Sequence, residues 1–300
     1  MNTLDNDNAT LDRPVFIVGL HRTGSTLLKN ILDRSSVLAM ATDEMDVSNP
    51  WKHTFEDDMR RFRNAANEAE FRELVEFIYS GRIHSTFWSE YPLQGIPREA
   101  ILKRLKKDLA TVPGVMRILL DEYRLKKGKQ RVGVKYPLHV SRLDRLCQWF
   151  PDCRAILLTR DIRAICTSKL NDEATVRRKS RGWFAGLVVH YVTLLLFLFD
   201  YVWSARVYLQ NRMRNNLTLI RYEDLVACPE ETVRSLCEFC KIPFEKGMLD
   251  ATGKPSSIST RPQEGIDRSR ASHWKSRLGR VDKWLVRLIA GRSMKVFGYF

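Results

Sequence analysis

The stretch FIVGLHRTGSTLL, residues 16–28, constrains this chain more than any other. The apolar run from Val15 to Leu20 reads as a buried strand, and a helical pattern starts near Ser25. A strand, a glycine turn and a helix N-terminus in that order make an anion site by geometry. The first-turn N–H groups have no partner within the helix, and the helix dipole favours negative charge. Gly19 and Gly24 let the backbone come close to oxygen atoms, and Thr23, Ser25 and Thr26 add hydroxyl donors. A mere turn with a serine cap needs neither so many donors nor the arginine at position 22.

The spacing Gly19-x-x-x-x-Gly24-Ser25-Thr26 departs from a nucleoside triphosphate loop at one place. Where such a loop carries the lysine that reaches the β and γ phosphates, this chain has Ser25. The positive charge has moved to Arg22. No second acidic strand end is evident. The loop therefore suits a phosphate whose chemistry needs no magnesium, and no metal is expected.

Strand-like runs recur at 131–135, 154–159 and 217–222, each followed by a helical pattern. Strands alternating with helices predict an α/β fold, here a P-loop-type parallel sheet flanked by helices. Without repeats or a low-complexity linker, 300 residues suit one domain over 1–300. The segment 55–127 reads as mostly helix, punctuated by Pro92, Pro97 and Pro113, so 46–130 is expected to be a helical insertion that binds the acceptor. A long helix is predicted over 183–211, another from Pro229 to near Cys240, a loop over 250–276, and a last helix over 281–296.

Lys and Arg exceed Asp and Glu by 15. That favours an anionic ligand, nucleic acid or an acidic membrane surface without choosing among them. The basic clusters at 124–129 and 177–181 are short and no nucleic-acid module is recognisable, so no nucleic-acid partner is expected. The most apolar run, 187–199, contains a histidine and is short for a membrane span, so a buried core helix is expected. Peripheral membrane contact stays open. The polar, acidic N-terminus reads as neither a signal peptide nor a mitochondrial presequence. Cysteines 147, 153, 166, 228, 237 and 240 read as buried free thiols of a reducing cytoplasm. Cys237 and Cys240 lack the second pair or clustered histidines of a zinc site.

GLHRTGSTLL resembles the 5′-phosphosulfate loop of sulfotransferases that use 3′-phosphoadenosine 5′-phosphosulfate (PAPS). It is closest to the branch with arginine in the loop, which includes the tyrosylprotein sulfotransferases and many bacterial relatives. The resemblance implies that Arg22, Thr23, Gly24, Ser25, Thr26 and Leu27 hold the 5′-phosphosulfate, with Arg22 at the bridging oxygen. RAILLTRDIRAICTS, 154–168, is similar to the family's 3′-phosphate site. Arg160 follows a strand end and Ser168 lies eight residues on, so a guanidinium fork and a hydroxyl can share one phosphate. Lys135, in GVKYPLH, is implied as a ligand of the transferring sulfuryl group. Tyr222, in TLIRYEDL, is implied as a cofactor contact. SRASHWKSRL, 269–278, resembles the C-terminal Ser-x-x-x-Trp segment that closes over the nucleotide. His273 replaces the lysine that precedes the tryptophan in the tyrosylprotein branch, and Asp172 stands where that branch has a further arginine.

The resemblance implies in-line transfer to a hydroxyl of a small-molecule, glycan, lipid or peptide acceptor, with a glutamate as base. In ATDEMDV, 41–47, that place falls on Glu44 or its neighbour Asp43, and Glu44 is favoured. His139 is the further candidate. Two other classes remain open: a P-loop kinase or hydrolase, which would depend on magnesium, and a non-catalytic basic binding protein, which would fail to bind PAP, the desulfated nucleotide.

Overall fold

In a computed structural model the described residues are 13–42, 55–80, 95–106, 109–180, 182–250 and 265–300. Among the described residues five strands form one parallel sheet: β1 (Val15–Gly19), β2 (Leu38–Thr42), β3 (Arg131–Tyr136), β4 (Arg154–Thr159) and β5 (Leu217–Arg221). Their order is β2-β3-β1-β4-β5. Every pairing is parallel, with Val15 opposite Gly133 of β3 and Arg154 of β4. Parallel strands need crossovers, and helices supply them.

The first crossover is α1 (Ser25–Asp33). Then come α2 (Phe55–Met59), α3 (Glu68–Tyr79), α4 (Arg98–Arg104) and α5 (Val112–Lys126), which precede β3. Local signals set these ends. Asn67 and Glu70 cap α3 reciprocally, and Thr111 accepts from the Gly114 N–H with Pro113 in the first turn of α5. After β3 follow α6 (Leu143–Trp149), and after β4 α7 (Ile162–Leu170), α8 (Glu173–Lys179) and α9 (Trp183–Asn211). After β5 follow α10 (Tyr222–Ala227), α11 (Pro229–Cys240), α12 (Trp274–Arg277) and α13 (Arg280–Val296).

Side chains alternate across the strands, and the two faces build separate cores. Phe16, Val18, Val134 and Leu157 pack with α3, α5, α7, α9 and α13 on one face. Val15, Ile17, Ile156 and Leu158 pack with α1, α10 and α11 on the other. Residues of the predicted insertion, such as Leu74, Ile78, Val115 and Leu119, share the first of these cores.

Three expectations need correction. The tail predicted as a loop over 250–276 contains a 3₁₀ turn at Arg268–Ala271 and the helix α12. Elements of four residues show no periodicity to read. Of the six cysteines, five are buried and Cys228 is exposed, because it sits at the junction between α10 and α11. Helix α9 has the predicted ends but is not a buried core helix. Leu194, Leu198, Tyr201 and Ala205 are buried, whereas Phe184, Val188, Val192, Leu196, Phe199 and Trp203 are exposed. Helix α9 lies on the outside of the fold, with one face on the sheet core and α13 beside it. It is long and apolar enough to cross a membrane, judged by length and composition alone.

Candidate active site

All five strands run the same way, so their carboxyl ends share one edge, where parallel α/β sheets bind ligands. Five sequence motifs meet there. The loop after β1 crosses the edge between β3 and β4, the central strand's two neighbours. Its backbone adopts left-handed conformations at Arg22 (φ 71°) and Gly24 (φ 94°). For arginine such a conformation costs on the order of 1 kcal/mol or more, so the surroundings must hold it in place. At Gly24, which caps α1, a Cβ would lie 2.7 Å from Cε2 of Tyr222. Only glycine allows the loop and that ring to approach so closely.

Thr23 is buried and donates its hydroxyl to the Leu20 carbonyl (2.9 Å), so its side chain braces the loop. Ser25 is buried at the first turn of α1, Thr26 is half-buried, and the Leu27 side chain lies in the core beneath α1. What Leu27 brings to the loop is thus its backbone N–H.

Arg22 reaches the second motif. Its Nε donates to Ser168 Oγ (3.0 Å) on α7, and a terminal nitrogen lies 3.5 Å from the Ser168 carbonyl. Arg160, the first residue after β4, donates to the Arg22 carbonyl (3.1 Å) and to the Arg270 carbonyl (2.6 Å). Its guanidinium carbon lies 4.2 Å from the centre of the Tyr222 ring, and an edge of the same ring borders Gly24. Arg160 Nε is buried without a hydrogen-bond partner. A buried unmatched donor on a cation is costly, and an acceptor that reached it would relieve that cost.

The neighbouring carboxylates are engaged elsewhere. Asp161 takes a two-pronged contact from Arg163, with Nε 2.9 Å from Oδ1 and a terminal nitrogen 2.6 Å from Oδ2. Glu223 accepts from the Asp161 N–H (3.1 Å) and from the Tyr299 hydroxyl (2.6 Å). Asp224 pairs with Arg221 at 3.4 Å. Burial lowers the pKa of Arg160; Tyr222 and Glu223 oppose that shift, and Arg22 adds to it. Burial likewise lowers the pKa of Arg22, against Asp172 and with Arg270. The buried Arg160 and half-buried Arg22 guanidiniums, with Arg270 close by, form a cationic cradle that an anion would relieve.

Asp172 caps α8 through the Thr175 N–H (2.7 Å) and pairs with Lys169 (2.6 Å). Burial alone would raise its carboxyl, but these bonds outweigh burial and hold it below its ordinary value. The arginine expected at this place in the tyrosylprotein branch is thus replaced by an acid that closes a local network.

Lys135 is buried near the carboxyl end of β3, opposite Ile17 of β1 and Thr42 of β2. Val134 and Tyr136 face the first core, so alternation turns Lys135 to the α1 side, the side of the loop. The C-terminal segment also arrives here. Arg270 contributes its carbonyl to Arg160, and Arg163 stacks on the Trp274 ring at 3.9 Å. Strand β2 ends at Thr42, and Glu44 and Asp43 lie outside the described residues. His139 belongs to the 3₁₀ turn Pro137–Arg142 that follows β3. Among the described residues no group of His, Cys, Asp and Glu is arranged to hold a metal ion.

Sequence reasoning did not find the Tyr299–Glu223 bond, which joins residues 76 positions apart. It placed Arg270 only within a basic C-terminal stretch. The motif SRASHWK was the one available signal for that contact.

Residues 14–246 match the sulfotransferase family. An uncharacterised protein from Aquifex aeolicus (strain VF5) is 24% identical over 294 residues, 92% of this chain and 32% of that protein. The chain thus spans about a third of that curated relative's length. Among solved structures, the sulfotransferase domain from the curacin biosynthetic pathway superposes with a TM-score of 0.62 at 19% identity, over 97% of this chain and 99% of that one. The sulfotransferase domain of the Synechococcus PCC 7002 olefin synthase gives 0.56 at 17% identity, over 96% of each chain. Sulfotransferase STF9 from Mycobacterium avium gives 0.51 at 12% identity, over 98% and 79%. At these identities the structural likeness speaks for the fold.

Proposed function

The chain belongs to the sulfotransferase family, and from that premise we propose that it transfers a sulfuryl group from PAPS to a hydroxyl of a small-molecule, glycan, lipid or peptide acceptor. One observation carries the choice of donor. Arg160, buried and with an unmatched Nε, converges with Arg22 and Ser168 on the loop after β1. Such a cradle fits a nucleotide with phosphates at both its 5′ and 3′ positions. A purely 5′-phosphorylated nucleotide would leave Arg160 without its counter-ion. The free thiols suit a reducing, cytoplasmic location.

PAPS supplies a sulfuryl group on a 5′-phosphate, a good leaving group. The remaining work falls to the protein and consists of positioning and charge stabilisation. The loop N–H groups from Arg22 to Leu27 bind the 5′-phosphate at the α1 N-terminus. Arg160 and Ser168 bind the 3′-phosphate, with the Tyr222 ring packed on the Arg160 guanidinium. Arg22 cannot release a proton, so its part is to neutralise charge on the bridging oxygen as the S–O bond breaks. Lys135 neutralises the equatorial sulfuryl oxygens. Each contact of this kind is worth about 2–4 kcal/mol in the transition state. Glu44 takes the acceptor's proton as the new O–S bond forms. Arg22 and Lys135 would lower the pKa of a carboxylate beside them, and partial burial would offset this.

The test is to supply radiolabelled PAPS and a cell extract and to identify the product by mass spectrometry. Label on a hydroxyl-bearing compound, with PAP released in equal amount, is the expected result. A chain that neither binds PAP nor releases it from PAPS contradicts the proposal.

A further inference from the structure

We propose that the exposed face of α9 is a docking surface for an anionic lipid bilayer, on which the protein rests with α9 in the plane of the interface. The proposal is independent of the transfer reaction.

On α9 the exposed apolar residues Phe184, Val188, Val192, Leu196, Phe199 and Trp203 recur every three or four positions. They form one stripe opposite the buried face, about 28 Å long at the helical rise. Trp183, 84% exposed, stands at its tip. On α13 Val281, Trp284 and Leu288 repeat the pattern. The helices pack side by side and parallel. His190 Nε2 lies 3.0 Å from Asp282 Oδ1 near their starts, and Tyr201 and Tyr208 meet the Phe297 ring near their ends. Their inward faces share one core, and the α9 stripe turns away from the side on which α13 packs. An exposed apolar stripe of this length marks an interaction surface.

Its charge selects the occupant. Arg177 and Arg178 are exposed just before α9, and Arg206 and Arg212 lie toward its end. Helix α13 presents Arg287 and Arg292 among its apolar residues. The acids are few: Asp200 sits to the side of the α9 stripe, and Asp282 is buried against His190. Tryptophan and phenylalanine on an apolar stripe with arginine at its border is the composition of an interfacial helix, and anionic headgroups attract that border. A second copy of this chain would bring the same arginines against themselves. A membrane-crossing role for α9 conflicts with its other face, where Leu194, Leu198 and Tyr201 belong to the core beneath the sheet.

The experiment uses the full chain and two vesicle preparations, phosphatidylcholine alone and phosphatidylcholine with phosphatidylglycerol. Co-sedimentation with the anionic vesicles is expected, weakened by added salt, with tryptophan emission shifted to the blue as Trp183 and Trp203 leave water. The double variant Phe184→Glu, Phe199→Glu, at positions 64% and 62% exposed, should keep its circular dichroism spectrum. It should lose vesicle affinity by on the order of tenfold or more. Equal or absent binding to the two vesicle types overturns the proposal. So does a stable dimer in analytical ultracentrifugation that the same double variant dissociates, which would assign the face to a second copy.

Discussion

Arg22 Nε donates to Ser168 Oγ across 3.0 Å, although 146 positions of chain separate the two residues. The loop after β1 and the helix after β4 are thereby joined at the edge of the sheet. In the proposed reaction Arg22 serves the bridging oxygen at the 5′ end of the nucleotide and Ser168 the 3′-phosphate. Ser168 Oγ accepts from Arg22 in this bond, which leaves its own O–H for the phosphate and the other guanidinium N–H groups for the bridging oxygen.

Ser168→Ala therefore has two opposing effects. It removes a phosphate contact, and it frees Arg22. The loss of one hydrogen bond to a phosphate is worth roughly 1.5–3 kcal/mol, and the release of Arg22 returns part of it. PAP affinity is expected to fall by about tenfold, well short of the effect of removing Arg160. Titration of PAP against both variants checks the order. A larger loss for Ser168→Ala than for Arg160→Ala would remove Arg160 from the centre of the site.

Glu44→Gln is expected to lower turnover by on the order of a hundredfold or more, the usual range for a general base, with PAP affinity nearly unchanged. The motive is an acid just past Thr42, the β2 residue opposite Lys135. Normal turnover in this variant with loss in Asp43→Asn shifts the assignment by one residue. Normal turnover in both transfers it to His139.

Transfer is expected to continue without divalent metal. Ser25 occupies the place of the phosphate-loop lysine, and the charge stabilisation is assigned to Arg22 and Lys135. Activity abolished by EDTA and restored by magnesium would contradict this.

Much of the sheet was legible because buried parallel strands read as short apolar runs, as β1, β3 and β4 do, and the half-buried edge strand β5 still reads as the short run LTLIR. The turn from β1 into α1 was legible because a buried apolar run, two glycines and a helical pattern follow one another locally. The orientation of α9 was not legible. Its side chains are apolar nearly all round, so the pattern shows no solvent face, and burial is then the default expectation. Only the packing of α13 and the sheet core decides which face turns inward. Arg160 could be placed at a strand end, but its lodging against Tyr222 and its bond to Arg270 join segments 62 or more positions away, which no local spacing encodes.

The claim on which the rest depends is that Arg160 reads a 3′-phosphate. Charge-assisted bonds to phosphate are each worth roughly 1.5–3 kcal/mol, so two of them amount to a hundredfold or more. Titration calorimetry of PAP and of adenosine 5′-monophosphate against the wild type and Arg160→Ala measures this directly. The account predicts a strong wild-type preference for PAP. It predicts that the substitution weakens PAP by about a hundredfold or more, leaves adenosine 5′-monophosphate nearly unchanged, and so collapses the preference. An undiminished preference in Arg160→Ala would contradict it and would transfer the reading of the 3′-phosphate to other residues, first among them those from Arg268 to His273.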